Sequence, residues 1–303
     1  MSLFINPHNF LCTGLLALTL SAGCKAPTTT TDRNVISTEK RLTEFPLRQH
    51  FKCLPDSAAI LAAHRGTSKN KGLAENAMAG LEALIDKGVL IAEIDVAKTK
   101  DGVHFLFHDG VWDDKSTGRG AVASSRWDKG QTYLLEDTEG RLTSETPVQF
   151  EDYLQRAKDN IYLEIDFKSS ASYKSVIDLI RKYEMSQHVI LISYSQGQAR
   201  KLAQLAPEMM VSVSIKNKGA LNQAISDGVK TKNIAAWTGR GGPNKELETT
   251  LKNKSIPILT YPSHNEASRL IKRADIIVTD YALKQKPIIG RYDKTAYKAC
   301  LNQ

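Results

Sequence analysis

The chain has 303 residues, of which 41% are hydrophobic and 24% are charged, so it can form one domain with a sizeable core and needs no second domain. Its formal net charge is +8, from 41 basic and 33 acidic side chains, and its surface is expected to favour anions. The basic residues are scattered, without a dense run or interleaved aromatic residues. This pattern argues against nucleic acid as a partner and favours a phosphate-containing substrate or an anionic membrane.

The first 23 residues have the pattern of a signal peptide. Leu11–Leu20 is an apolar run too short to span a bilayer as a mature helix. It leads into Ser21-Ala22-Gly23-Cys24, which resembles a bacterial lipobox, so we expect cleavage before Cys24 and lipidation of that cysteine. Because no Lys or Arg precedes Leu11, an export signal without lipidation is the alternative.

The polar residues that follow predict a flexible tether over residues 24–50, ahead of a folded domain over residues 51–303. This organisation predicts an exported protein of the bacterial cell envelope. Its lipid would anchor it to a membrane, on the periplasmic side.

Within the folded domain, apolar runs alternate with amphipathic helical stretches. Strands are predicted at 59–63, 90–97, 161–167, 188–193, 210–215, 233–237, 256–260 and 275–279. Eight strand–helix units predict an α/β fold, a single TIM (β/α)8 barrel. Lys100-Asp101-Gly102 predicts a turn, so a further strand at 103–107 is expected to fold back as a β-hairpin after the second strand. Polar residues at the strand ends then meet on the carboxyl-terminal rim, where such barrels carry their chemistry.

Two of the seven histidines end apolar runs and precede a charged residue. His64 precedes Arg65, and His108 precedes Asp109. Histidine suits general acid and base catalysis near neutral pH, and the planar guanidinium of Arg65 suits a phosphate oxygen. An isolated histidine of this kind is more often structural, and a lone arginine forms a surface ion pair as often as it binds a phosphate. The functional assignment of these residues therefore depends on the residues around them.

Two pairs of acids lie two residues apart on predicted strands, and a strand sends such residues to the same face. Glu93 and Asp95 share one face, and Glu164, Asp166 and Lys168 share another. Adjacent carboxylates repel each other unless a cation lies between them. Oxygen ligands suit Mg²⁺ or Ca²⁺ better than zinc. On ordinary strands these would be solvated charges, but the flanking apolar residues and histidines favour a metal site.

These motifs together resemble the glycerophosphodiester phosphodiesterase family, over roughly residues 60–289. The resemblance implies a phosphoric diester hydrolase that releases glycerol 3-phosphate and an alcohol, with one divalent cation as cofactor and a small phosphodiester as substrate. It implies Asp166 as a metal ligand with Glu93 and Asp95, and Lys168 as a phosphate ligand. Asp166 stands where the family has glutamate, and its shorter side chain leaves three options: a nearer metal, an intervening water, or help from Glu164.

The resemblance also implies that His64 and His108 divide the proton transfers. It favours His108 as the acid, whereas the residues themselves leave this assignment open. Glu75, with Asn76, is expected to orient Arg65 or the phosphate, against the alternative of capping a helix. Trp237 is a candidate for substrate contact, with core packing as its alternative, and Tyr194, Tyr261 and His264 are further candidates for the wall of the pocket. The strand before the last departs most from the family pattern, because it continues Leu259-Thr260-Tyr261-Pro262.

Cys53 and Cys300 flank the predicted barrel, one before its first strand and one after its last helix. Both ends of a closed barrel meet at its amino-terminal face, so we predict a disulfide bond between them, as export permits. The alternative is two unpaired thiols.

Two further functions compete with the diesterase prediction. One is a phospholipase C-like or phospholipase D-like enzyme that acts on intact membrane lipids, which a long apolar trough on the rim would favour. The other is a non-catalytic, phosphate-binding envelope protein, for which the substitution at Asp166 is an argument.

Overall fold

The computed structural model describes residues 41–67, 69–262 and 270–303. In this part of the chain, eight parallel strands close into a barrel with the order β1-β2-β4-β5-β6-β7-β8-β9 and back to β1. The predicted TIM barrel is therefore confirmed. The strands are β1 (Ala58–Ala63), β2 (Ile91–Lys98), β3 (His104–Leu106), β4 (Tyr162–Phe167), β5 (Val189–Ile192), β6 (Met210–Ser214), β7 (Ile234–Trp237), β8 (Ile258–Thr260), β9 (Ile276–Thr279) and β10 (Ile288–Gly290).

The helices pack around the barrel through a continuous buried apolar layer. They are α1 (Leu47–Cys53), α2 (Met78–Lys87), α3 (Trp127–Gly130), α4 (Phe150–Ala157), α5 (Tyr173–Lys182), α6 (Gln196–Leu205), α7 (Lys218–Ser226), α8 (Lys245–Asn253) and α9 (Lys294–Leu301). Short 3-10 helices lie at Leu42–Glu44, Trp112–Asp114, Val122–Ser124, Thr231–Asn233 and Ala282–Lys284. Among the described helices, none is both long and apolar enough to cross a membrane.

Side-chain caps fix where the helices that follow β4 to β7 begin. The caps of α5, α6, α7 and α8 each accept a hydrogen bond from a backbone N–H in the first helical turn. A cap of this kind contributes about 1 kcal/mol. The loops between these strands and helices are therefore held at both ends. The capping residues are Ser172, Ser195, Asn217 and Asn244.

The interior of the barrel changes from apolar to polar along the strands. Near the amino-terminal end, Ile60, Ile91 and Tyr162 are fully buried in an apolar cluster. Toward the carboxyl ends the inward positions become acidic, and the β2–β4 register sets Glu93 beside Glu164 and Asp95 beside Asp166. The parallel pairing thus brings the two predicted acid pairs into one corner of the rim.

A hairpin carries the second predicted histidine to the same rim. β3 pairs antiparallel with β2, with Lys98 opposite His104, and Gly102 in the turn has a φ of +91°, which favours glycine. The chain after β3 folds over an aromatic cluster that includes Phe105, Phe107 and Trp112. His108 therefore emerges beside the carboxyl end of β2.

The tether predicted to run to residue 50 does not extend over residues 41–50, because these residues belong to the compact unit that contains the barrel. Leu47 and His50 on α1 are fully buried, and His50 contacts the hydroxyl groups of Tyr162 and Tyr297. The apolar residues of this otherwise polar segment close the amino-terminal end of the barrel. The signal peptide, Cys24 and residues 24–40 lie outside the described residues.

The two ends of the domain meet at this closed face. Cys53 at the end of α1 and Cys300 in α9 form a disulfide bond, with their Cα atoms 5.7 Å apart. β10, which the sequence did not predict, pairs antiparallel with β1. At three residues, its run is too short to be distinguished from a loop by periodicity.

Candidate active site

A cavity of about 530 Å³ opens among the carboxyl ends of the strands. Its lining joins charged, hydroxyl and aromatic side chains from β1, β2 and β4 through β9 and the loops that follow them. The lining residues are His64, Arg65, Glu93, Glu164, Ile192, Ser193, Tyr194, Ser212, Ser214, Lys216, Trp237, Arg240, Tyr261 and Val278.

One corner of this rim is a cluster of buried carboxylates. Oxygen atoms of Glu93, Asp95 and Asp166 all lie within 4.8 Å of one another. Lys168 Nζ lies 2.7 Å from Asp95 Oδ1 and 2.8 Å from Asp166 Oδ2. Glu164 extends the cluster on the cavity side.

Burial shapes the protonation of this cluster. It raises the pKa of Glu93 well above the usual range, with Asp95 as the next cause, and together with Asp166 it raises the pKa of Glu164 to about 8. Burial alone would raise the pKa of Asp95 as well, but Lys168, His108 and Asn76 outweigh it, and the pKa of Asp95 lies below its usual value. The protein partners of the cluster therefore do not balance four ionised carboxylates.

The donor set fits a hard divalent cation. Four carboxyl groups face one ammonium group, and within the described residues the buried Oε2 of Glu164 has no hydrogen-bond partner. A buried carboxylate without a partner is costly, and a cation with oxygen ligands removes that cost. Glu93, Asp95 and Asp166 could hold a metal ion, with Glu164 within the same corner.

His64 is held by an acid that follows β9. Its Nδ1 lies 2.8 Å from Asp280 Oδ1, and its Nε2 lies 4.0 Å from Glu93 Oε2. Asp280 also accepts hydrogen bonds from the Tyr261 hydroxyl and the Lys69 ammonium group, each at 2.8 Å. These partners, led by His64, hold the pKa of Asp280 well below its usual range despite its burial. The imidazole of His64 is therefore fixed with Nε2 toward the acidic corner.

His108 forms a second histidine–aspartate pair. Its Nδ1 lies 2.7 Å from Asp109 Oδ1, and its Nε2 lies 2.7 Å from Arg65 Nη2. The guanidinium group of Arg65 also donates to both oxygens of Glu75, at 3.2 and 3.4 Å. Glu75 thus orients Arg65, and the adjacent helix α2 is capped at Ala77 without a side-chain bond.

The backbone at Arg65 and Asn76 is shaped to support the acids. Arg65 has a φ of +49°, uncommon for a residue other than glycine, and its N–H donates to Glu93 Oε2 at 2.8 Å. Asn76, with a φ of +59°, donates to Asp95 Oδ2 at 2.7 Å and accepts from the Asp95 N–H at 3.0 Å. These bonds fix Glu93 and Asp95 before any ligand arrives.

The rim brings together every sequence-predicted catalytic, phosphate-binding and metal-binding residue. These are His64, His108, Arg65, Glu75, Glu93, Asp95, Asp166, Lys168 and Trp237. Trp237 lies in the cavity wall at the end of β7 and is only partly buried.

Three contacts were not anticipated from the sequence. Asp280, directly after β9, holds His64. Tyr194 donates to Asp166 Oδ2 at 2.9 Å, and Lys69 pairs with Asp280. The position of Asp280 at the end of β9 indicated a place on the rim, because acids at strand ends face it. No feature of the sequence indicated that Lys69 contacts this aspartate. His264, a further candidate for the wall, lies outside the described residues.

Comparison with known proteins places these residues in a family context. Residues 64–280 match the model of the glycerophosphoryl diester phosphodiesterase family. A glycerophosphodiester phosphodiesterase of Caldanaerobacter subterraneus is 25% identical over 165 residues, which cover 51% of this chain and 65% of that protein. The chain thus matches just under two thirds of that relative's length.

Two solved structures share the fold. A glycerophosphoryl diester phosphodiesterase from Parabacteroides distasonis is 22% identical with a TM-score of 0.69, covering 84% of this chain and 90% of that one. An Oleispira antarctica phosphodiesterase, solved in complex with the product sn-glycerol-3-phosphate, is 17% identical with a TM-score of 0.60. The superposition with the second covers 78% of this chain and 96% of that one.

Proposed function

Because the chain belongs to the glycerophosphoryl diester phosphodiesterase family, a family of phosphoric diester hydrolases, we propose that it hydrolyses glycerophosphodiesters to glycerol 3-phosphate and an alcohol. One observation carries this proposal: two histidine–aspartate pairs and a buried carboxylate cluster meet on one rim. A phosphodiester needs charge neutralisation at its oxygens and a proton for its leaving group, and this arrangement offers both.

The cofactor in this proposal is one divalent cation, Mg²⁺ or Ca²⁺. Glu93, Asp95 and Asp166 would hold it, and it would neutralise charge on the phosphoryl oxygens. Arg65 and Lys168 add two permanent positive charges beside the same corner. Glu75 and Asn76 act through these groups, because they orient Arg65 and Asp95.

The hydrogen bonds support a division of labour between the histidines. Nε2 of His108 accepts from Arg65 while Nδ1 donates to Asp109, so Nε2 carries the lone pair that a base needs. His108 is thus proposed to take the proton from the attacking water or glycerol hydroxyl. His64, fixed by Asp280, gives a proton to the alkoxide as its bond to phosphorus breaks. This assignment reverses the one that the resemblance favoured.

The lining of the cavity favours a small polar substrate over an intact lipid. Of its described residues, Ile192 and Val278 are aliphatic, whereas most of the others carry charge, hydroxyl or amine groups. An acyl chain needs a continuous apolar surface. The binding-only alternative does not account for two histidines that are each held by an acid.

We further propose that the protein is exported and anchored to a membrane through a lipid on Cys24. The apolar run before Cys24 supports this proposal, as does the Cys53–Cys300 disulfide bond, since such bonds persist in oxidising compartments. Metabolic labelling with a radioactive or alkynyl fatty acid tests it. Label on the wild type and none on Cys24→Ala is the expected result.

Phosphorus NMR of the reaction mixture tests the activity. With Mg²⁺ or Ca²⁺, we expect glycerophosphocholine to be converted to glycerol 3-phosphate and choline. A transient cyclic phosphate would identify the glycerol hydroxyl as the first nucleophile. Release of phosphocholine, or turnover of phosphatidylcholine in preference to the soluble diester, would contradict the proposal.

A further inference from the structure

The cavity extends well beyond the acidic corner that would bind the phosphate. The metal and phosphate groups come from the ends of β1, β2 and β4, whereas the opposite wall comes from the ends of β5 to β8. A diester whose phosphate lies at the corner must place one of its two arms against this opposite wall. The chemistry of that wall therefore selects the arm.

Two cations stand on the opposite wall. Lys216 follows β6 and Arg240 follows β7, and both line the cavity with exposed side chains. Neither forms a salt bridge with any described residue. Ser212 and Ser214 line the same cavity, whereas the Ser193 hydroxyl already donates to the Ser212 backbone oxygen at 2.6 Å. The wall thus offers two positive charges that have no acidic partner among the described residues, together with serine hydroxyls, which suits an anion.

The same wall is poorly suited to a cationic head group. A quaternary ammonium group binds over aromatic faces, but the guanidinium group of Arg240 already lies over the Tyr261 ring, 5.5 Å from its centroid. Lys216 and Arg240 would also repel a second cation. The two other aromatic residues of this wall are Trp237 and Tyr194. Among the described residues, no acid outside the acidic corner lies beside them.

We propose that Lys216 and Arg240 form a subsite for a second phosphate group on the arm opposite the reacting phosphate. The preferred substrates are then glycerophosphodiesters whose alcohol is itself phosphorylated, such as glycerol chains joined by successive phosphates. This inference rests on the proposed diesterase function and specifies its substrate class. Lys216 and Arg240 are specificity-determining residues in it, with no part in the proton transfers.

A matched pair of substrates isolates the second phosphate. Glycerophosphoglycerol carries one phosphodiester, and its analogue of three glycerols joined by two phosphodiesters adds one negative charge and one glycerol. The kcat/KM values of both are measured with wild type, Lys216→Gln, Arg240→Gln and the double variant. Lys218→Gln is the control, because Lys218 is a nearby exposed lysine that pairs with Glu246 at 2.7 Å and does not line the cavity.

We expect the wild type to prefer the substrate with two phosphates, and each single variant to lose about fivefold of that preference, as for one solvent-screened ion contact. The double variant should lose about 25-fold of that preference, whereas the preference of Lys218→Gln stays near wild type. Equal kcat/KM values of the wild type for both substrates, or an equal loss on both, would overturn the subsite and leave the diesterase function standing. A folded wild type that hydrolyses neither would overturn both.

Discussion

Asp280 is predicted to work through His64 alone, and Asp280→Asn tests that role. The carboxylate accepts three hydrogen bonds at 2.8 Å, from His64, Tyr261 and Lys69. An amide keeps the shape of the group but turns one acceptor into a donor, so it cannot satisfy all three partners. A hydrogen bond to a charged group contributes about 1.5–3 kcal/mol. The loss in kcat is then expected to be about 10- to 150-fold.

The leaving group distinguishes this positioning role from a structural one. If His64 is the acid, a diester that releases p-nitrophenolate needs no proton, and Asp280→Asn should lose less than about threefold in kcat on it. On glycerophosphocholine, whose leaving alkoxide needs a proton, the full loss should appear. Lys69→Met is the matched control, because it removes another partner of Asp280 and keeps the carboxylate and its bond to His64. An equal loss of kcat on both substrates, or a change in KM alone, would show that Asp280 does not act through His64.

Three further predictions concern the acidic corner and the closed end of the barrel. Asp166→Ala should raise the metal concentration that gives half-maximal activity at least about tenfold, whereas Asp166→Glu should keep it near the wild-type value. An unchanged metal concentration for half-maximal activity in Asp166→Ala would exclude Asp166 as a ligand. Burial lowers the pKa of His50 from 6.5 to about 4, so the unfolded chain takes up the proton first and stability falls as pH drops from about 6.5 to 4. In urea unfolding, the free energy of unfolding of the wild type should fall by about 3 kcal/mol over this pH range, and that of His50→Gln should not. Equal falls in both proteins would contradict this prediction. Cys53→Ser with Cys300→Ser should reduce the free energy of unfolding by about 2–5 kcal/mol and leave kcat unchanged; an unchanged midpoint in urea would refute a stabilising bond.

The fold and the acidic corner could be predicted because local patterns encode them. Alternation with period two placed Glu93 and Asp95 on one face, and parallel register then set Asp95 beside Asp166. A barrel rim collects whatever lies at strand ends. The acidic residues of the corner were therefore readable from their strands, whereas the roles of Lys168 and Glu75 came from the family resemblance.

Contacts that depend on loops were not readable in the same way. The pairing of Lys69 with Asp280 joins residues more than two hundred positions apart, and no periodicity links them. Leu47 and His50 are buried at the amino-terminal end of the barrel. The polar residues around them in the sequence gave no indication of this packing. Likewise, Lys216 and Arg240 became a pair only when the ends of β6 and β7 were placed beside one cavity.

The rate of glycerol 3-phosphate release from glycerophosphocholine tests the proposed diesterase function. It is measured with Mg²⁺, with Ca²⁺ and with chelator, for wild type and His64→Ala. We expect release by the wild type with a divalent cation, loss of release with chelator, and a fall of about 100- to 10,000-fold in His64→Ala. Release that persists in chelator, or that survives in His64→Ala, would contradict it.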